Sequence, residues 1–279
     1  MYIKHIQKFL LFLFPVAVIL FSSSNIFANV KNLPEPKTWN EDLKEVLFDD
    51  EQILDGSSFM FLKTPYRAAD AAMMPISLKF KNNQNKDFYV KNVTIVVDEN
   101  PSPVVGKFFI SMKSGNADLE TRIRIDKYTY VRVIAEVNDG KKYMVSNFVK
   151  AAGGCSAPSL GDMDAMMARL GKMKMKFLDT KDIGNLSKAQ LVISHPNFSG
   201  LQFNQISRSE IPAHFVDSVQ IKQDNEVILD VKPDISLSED PSITFHYINS
   251  GGPLKVKITD SKGGVFFKEW KTSDLTFNN

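Results

Sequence analysis

Short runs in which apolar and polar residues alternate recur along most of this chain, and they limit its fold more than any other feature. Ile76, Leu78 and Phe80 alternate with polar neighbours, as do Val93, Ile95 and Val97, then Ile123 and Ile125 among Arg122, Arg124 and Asp126, then Val131 and Val133. A period of two puts every second side chain on one face of an extended backbone, so each run predicts a half-buried strand. Turn clusters separate the runs: Lys81 to Lys86, Asp98 to Pro103, and Asn138-Asp139-Gly140. The pattern resumes at Leu191 and Ile193. It continues through Val219 and Ile221, Val227 to Leu229, Ile243 to Ile248, Val256 and Ile258, and Val265 to Trp270. Many short strands with polar turns predict an all-β protein of two antiparallel sandwich domains, residues 39–150 and 183–279.

Two stretches depart from that period. Trp39, Leu43, Val46 and Leu47 are spaced as on a helix, which predicts a short one over Trp39 to Phe48. Between the two β regions, AAGGCSAP (151–158) contains only small residues and cannot contribute a core element. Ser159 then offers a helix cap, with Asp162 three positions later. Met163, Met166, Met167, Leu170 and Met173 recur at three- and four-residue steps, predicting a helical linker over 159–182.

The N-terminus has the layout of a secretory leader: Lys4, His5 and Lys8, an apolar run of 13 residues from Phe9 to Phe21, then a polar stretch closing at Ala28. A spanning helix needs roughly 20 residues, so residues 1–28 read as a cleaved signal peptide, with the mature protein in the periplasm and no stable membrane anchor. Ile26 stands where a small residue is usual at the cleavage site. The chain carries 34 basic and 32 acidic residues. The leader holds Lys4 and Lys8 and no acid, so the mature chain is electrically balanced. It has no basic block, which argues against nucleic acid or anionic lipid as a partner.

An exported chain ordinarily pairs its cysteines. This one has a single Cys, so no internal disulfide exists, and Cys155 is buried and inert, bonded to another molecule, or chemically used. Its neighbours are too small to enclose it, which weakens the inert reading. Gly153 and Gly154 before it, and Ser156, Ala157 and Pro158 after it, form a narrow, flexible arm. Four residues on either side give the tip a reach of at most roughly 13 Å. Such an arm delivers cargo and offers no environment for chemistry of its own, so no catalytic residue is assigned.

These residues also carry a family resemblance. PYRAADAAMMPISLKF (Pro65 to Phe80), VDENPSPVVGKFFI (Val97 to Ile110), TRIRI (Thr121 to Ile125) and VKAAGGC resemble SoxY, the sulfur carrier of bacterial thiosulfate oxidation. LVISHP (Leu191 to Pro196), Gly200 and IPAHF (Ile211 to Phe215) are similar to SoxZ. Their order resembles the fused SoxYZ-like carriers associated with quinoprotein dehydrogenases. The resemblance implies two immunoglobulin-like sandwiches packed together and a swinging arm with a covalent sulfur adduct on Cys155. The adduct would be cargo, with no cofactor. The partners implied are periplasmic sulfur-oxidation enzymes or a quinoprotein dehydrogenase with its cytochrome c system. One departure matters. SoxY ends in GGCGG, whereas here Ser156-Ala157-Pro158 and a whole second domain follow the Cys, so the arm is a tethered loop.

Other readings are weaker. Cys155 with His195 or His214 would make a nucleophile and base, but His195 precedes Pro196, which favours an extended backbone, and packing explains both histidines more simply. A Cu(I) site on the methionines competes with an apolar helix face, which the spacing fits better. Four His and one Cys leave no metal site of His and Cys type. An accessory or assembly role beside a quinoprotein alcohol dehydrogenase stays open.

Overall fold

In the computed structural model, residues 33–49, 51–158, 162–204 and 208–271 are described. The leader over residues 1–28 and Ser159 lie outside them. The predicted N-terminal helix is present as a π-helical stretch Trp39–Leu43 running into α1 (Lys44–Phe48). Trp39 and Phe48 pack with Val96 and Ile134 as a small satellite core.

The remaining regular structure is almost entirely strand. The first half supplies β1 (Ile53–Asp55), β2 (Met60–Lys63), β3 (Met74–Phe80), β4 (Val90–Val97), β5 (Val104–Ile110), β6 (Leu119–Ile123), β7 (Thr129–Val137) and β8 (Lys142–Val149). After the short α2 (Met163–Ala168) come β9 (Met173–Asp179), β10 (Leu186–Ile193), β11 (Phe203–Asn204), β12 (Ser209–Glu210), β13 (Val216–Gln223), β14 (Glu226–Pro233), β15 (Ser242–Ile248), β16 (Leu254–Asp260) and β17 (Val265–Trp270). Alternation has the expected effect: in β3 Ile76, Leu78 and Phe80 are buried, and in β10 Ala189, Leu191 and Ile193. The Asn138-Asp139-Gly140 turn joins β7 to β8. Gly140 stands at φ +83°, which glycine adopts without strain.

The two halves share their sheets. One sheet runs β1-β8-β7-β4-β5-β14-β13-β16-β17 and the other β2-β3-β6-β15-β10-β9, all antiparallel except the β1–β8 pair. The first seam is β5 against β14, with Phe108 opposite Val231 and Gly106 opposite Pro233. A side chain at Gly106 would stand 3.1 Å from the Lys232 carbonyl oxygen and Pro233 Cα, so glycine lets the strands meet. The second seam joins β6 to β15 through Glu120 and Thr244, and Ile123 bridges to Leu237. The protein is thus all-β and antiparallel, and one apolar core runs through both sandwiches.

The linker differs from the expected helix. Only Met163–Ala168 is helical, and the cap is Asp162, whose carboxylate accepts from the Ala165 N–H at 2.8 Å. Met173 and Met175 are buried on β9, where their two-residue spacing faces the core and β10 offers a paired edge. Tertiary pairing overrode the three- and four-residue spacing. The continuous core predicts joint unfolding. Trp39 lies in one half and Trp270 in the other, so the single-tryptophan variants Trp39→Phe and Trp270→Phe should report coincident urea midpoints. Phe108→Ala should shift both by the same amount, at a cost of about 3–5 kcal/mol. Two separate transitions would contradict the shared core.

Candidate functional site: a buried cysteine held across the seam

The segment 151–158 leaves β8 and folds back onto the end of β6. The Gly153 N–H donates to the Asp126 carbonyl and the Gly154 N–H to the Ile125 carbonyl, both at 2.8 Å. Gly153 sits at φ +78° with open space where a Cβ would be, so its requirement is conformational. Gly154 is steric instead: a Cβ there would fall 2.1 Å from the Ala71 carbonyl oxygen and 2.7 Å from that of Ile125. The two glycines let the chain turn and then press flat against β6.

The second half closes the other side. Ser199 Oγ donates to the Cys155 carbonyl at 2.5 Å and Gln202 Nε2 to the Ala157 carbonyl at 3.2 Å. Arg124 Nη1 donates to the Gly154 carbonyl at 3.2 Å, while Nη2 donates to that of Asn197 at 3.1 Å. One side chain therefore ties the end of β6, the arm and the second half together.

The result corrects the exposed arm expected from the sequence. Ala152, Gly153, Ser156 and Pro158 face solvent and Ala157 is half-buried, but Gly154 is buried and Cys155 is 0% exposed. The small neighbours do not enclose the thiol. Residues distant in sequence do, which local composition could not reveal. Burial pushes the Cys155 thiol up from 9.0 to about 12; Asp126 adds to the shift and Arg124 opposes it. At neutral pH that means roughly a thousand-fold less thiolate than an unperturbed Cys would hold.

The loop at 195–202 is itself firmly built. The Asn197 N–H donates to His195 Nδ1 at 3.0 Å, and Asn197 Nδ2 donates to the Leu237 carbonyl at 2.8 Å. Asn197 Oδ1 accepts from the Val216 N–H at 2.9 Å. His195 and His214 meet edge to face, ring centroids 4.7 Å apart, beside Asp260. His214 Nε2 is 3.0 Å from Asp260 Oδ2 and His195 Nε2 is 3.6 Å from it. One ligand atom from each of the three lies within 4.8 Å of the others, but the Asn197 N–H occupies the Nδ1 lone pair of His195. The proton of the neutral ring therefore sits on Nε2, the atom that would have to bind a metal. His214 and Asp260 form a hydrogen-bonded brace, while His195 Nε2 is buried without a hydrogen-bond partner. Desolvation first, and then the His214 charge, push His195 down to about 4. Asp260, despite its desolvation, is held below the usual carboxylate range by His214 and the Gly264 and Lys262 amides. Neither histidine is bonded to Cys155 among the described residues.

The family models settle the ancestry. The model for sulfur oxidation protein SoxY matches residues 44–155 and that for sulphur oxidation protein SoxZ matches residues 175–271. The chain is a SoxY–SoxZ fusion. The SoxY match ends on Cys155 itself, so the arm is the junction of the two domains. No curated protein sequence matches the chain. Among solved structures it is similar to the sulfur carrier protein SoxY from Chlorobium limicola f thiosulfatophilum, with 21% identity over 42% of this chain and 94% of that one, TM-score 0.34. It is also similar to a superoxide reductase (neelaredoxin) from Ignicoccus hospitalis, with 9% identity over 33% and 79%, TM-score 0.30. The SoxY and SoxZ domains meet along both seams, and the SoxZ-like motifs LVISHP and IPAHF supply the His195–His214 pair.

Two measurements check this site. Alkylation of Cys155 by iodoacetamide at pH 8 should run at least about a hundred-fold slower than a free cysteine, and a near-free rate would contradict the burial. His195 binds its proton more weakly folded than unfolded, so its contribution to stability is full above pH 6.5 and falls as pH drops toward 4. Between pH 6.5 and pH 5 it should remove about 1.5 kcal/mol from the unfolding free energy. His195→Gln should flatten that segment of the stability profile, and an unchanged slope would show that His195 is not the titrating group.

Proposed function

We propose that this SoxY–SoxZ fusion is a periplasmic covalent carrier that holds a sulfur adduct on Cys155 and presents it to partner enzymes, without turnover of its own. The observation that carries the reading is the placement of the lone cysteine. It lies at the junction of the two domains, in a segment belonging to no strand or helix and held by hydrogen bonds that solvent can replace. A net contribution of about 1 kcal/mol per bond keeps such a segment docked most of the time while leaving it able to open as a unit. Opening restores an ordinary thiol, and the fraction of thiolate rises with it. Docking thus shields the thiol between deliveries. The chain on both sides of Cys155 makes the released arm a double-stranded loop, which calls for a partner cleft wider than one fitted to a chain terminus. The partners of this reading are sulfur-oxidation enzymes.

A second reading makes the protein a non-catalytic accessory of a periplasmic quinoprotein alcohol dehydrogenase, with the cysteine a packing residue. The complete burial of Cys155 favours it. Mass analysis of the protein from its native periplasm separates the two. The carrier reading predicts a persulfide, sulfonate or thiosulfonate mass on the Cys155 peptide, lost in Cys155→Ser together with cellular function while the fold is kept. Full cellular activity of Cys155→Ser would reject carriage, and a free thiol with tight dehydrogenase binding would leave the accessory reading standing.

A further inference from the structure

Arg124 is 1% exposed, yet among the described residues no carboxylate lies within ion-pair distance of it. Its Nη1 and Nη2 reach only the carbonyls of Gly154 and Asn197, and its Nε is buried with no partner. The molecule treats its other deeply buried arginine differently. Arg132 binds Asp98 through Nε and Nη2 at 2.8 Å each and lies against the Trp39 ring, 4.5 Å from its centroid. A guanidinium removed from water without a counter-charge is costly, and carbonyl dipoles recover only part of that cost. Desolvation lowers the proton affinity of Arg124. Its Nη1 holds the carbonyl of the residue next to Cys155, so the uncompensated guanidinium stands beside the arm, where a neutral thiol now sits. Asp126 is the acid that opposes negative charge there.

We propose that Arg124 is a positioning residue for the loaded arm: it is the buried counter-charge for a negatively charged group borne on Cys155, so that docking favours an anionic adduct over a neutral one of the same shape. This rests on the carrier reading. An anion on Cys155 gives the fork of Arg124 a charged acceptor and strengthens the tie between the end of β6, the arm and the loop at 195–202. A neutral adduct gains none of this and leaves the guanidinium uncompensated.

The test uses two probes of the same size, one anionic and one neutral. The full-length protein is alkylated in urea with iodoacetate or with iodoacetamide and refolded, giving S-carboxymethyl or S-carbamidomethyl Cys155. At pH 7 the melting midpoint of the wild-type carboxymethyl protein should exceed that of the carbamidomethyl protein by about 2–4 °C. Arg124→Lys should keep the sign of the difference, and Arg124→Gln should abolish it. A purely structural Arg124 would shift both adducts equally and leave their difference unchanged. Equal midpoints in the wild type, a higher midpoint for the neutral adduct, or a difference that survives in Arg124→Gln would each overturn the proposal. If Arg124→Gln does not fold, the wild-type pair and Arg124→Lys decide. Because the probes are attached chemically, a failure here is distinct from a failure of carriage, which is read from the native adduct alone.

Discussion

The pairing of β5 with β14 is the constraint on which the site depends. A short register in which Phe108 faces Val231 and Gly106 admits Pro233 joins two sandwiches into common sheets, and it fixes the end of β6 relative to the loop at 195–202. Cys155 is covered from both sides of that junction. Without the seam the arm would lose its hydrogen bonds from Ser199 and Gln202 and keep only those to Asp126, Ile125 and Arg124. Both halves thus contribute to the surface on which the cysteine's segment rests.

The chemistry follows from that placement. A carrier's thiol must be reactive toward its loading partner and silent toward everything else, and one static environment cannot provide both. Burial supplies the silence, through desolvation that leaves almost no thiolate at neutral pH. The proposed open state would cost little, since Ala152, Gly153, Ser156 and Pro158 are already exposed and would give up little buried apolar surface. The braces of the loop at 195–202, Asn197 with its four hydrogen-bonded atoms and His214 with Asp260, hold in shape the surface against which the arm docks.

Much of this fold was legible in the sequence because strand alternation is a local signal. Ile76 to Phe80 and Leu191 to Ile193 advertise their inner faces without reference to anything distant. The same local logic failed on the linker, where Met173 and Met175 fit a helix period and a strand period alike, and only the available edge of β10 decided between them. It failed again on the arm. Small residues around Cys155 are compatible with an exposed loop and equally with one pressed against Ala71 and Ile125, and Gly154 is required by the second. The roles of Arg124, Ser199 and Gln202 had no sequence signal, because each acts across dozens of residues on a backbone carbonyl, and carbonyls carry no side-chain identity. His195 and His214 were noticed as isolated residues, and their meeting at Asp260 needed the seam.

A carrier arm must be docked yet separable from the core. Native-state hydrogen exchange under increasing urea reads this at the Gly153 and Gly154 amides that donate to Asp126 and Ile125, against core amides of β4 and β7. The two glycine amides should be protected but exchange through a local opening, with a free energy well below that of global unfolding and little dependence on urea. Exchange of Gly153 and Gly154 only through global unfolding, with the same urea dependence as Val133 and Ile95, would contradict it and leave Cys155 as a fixed part of the core.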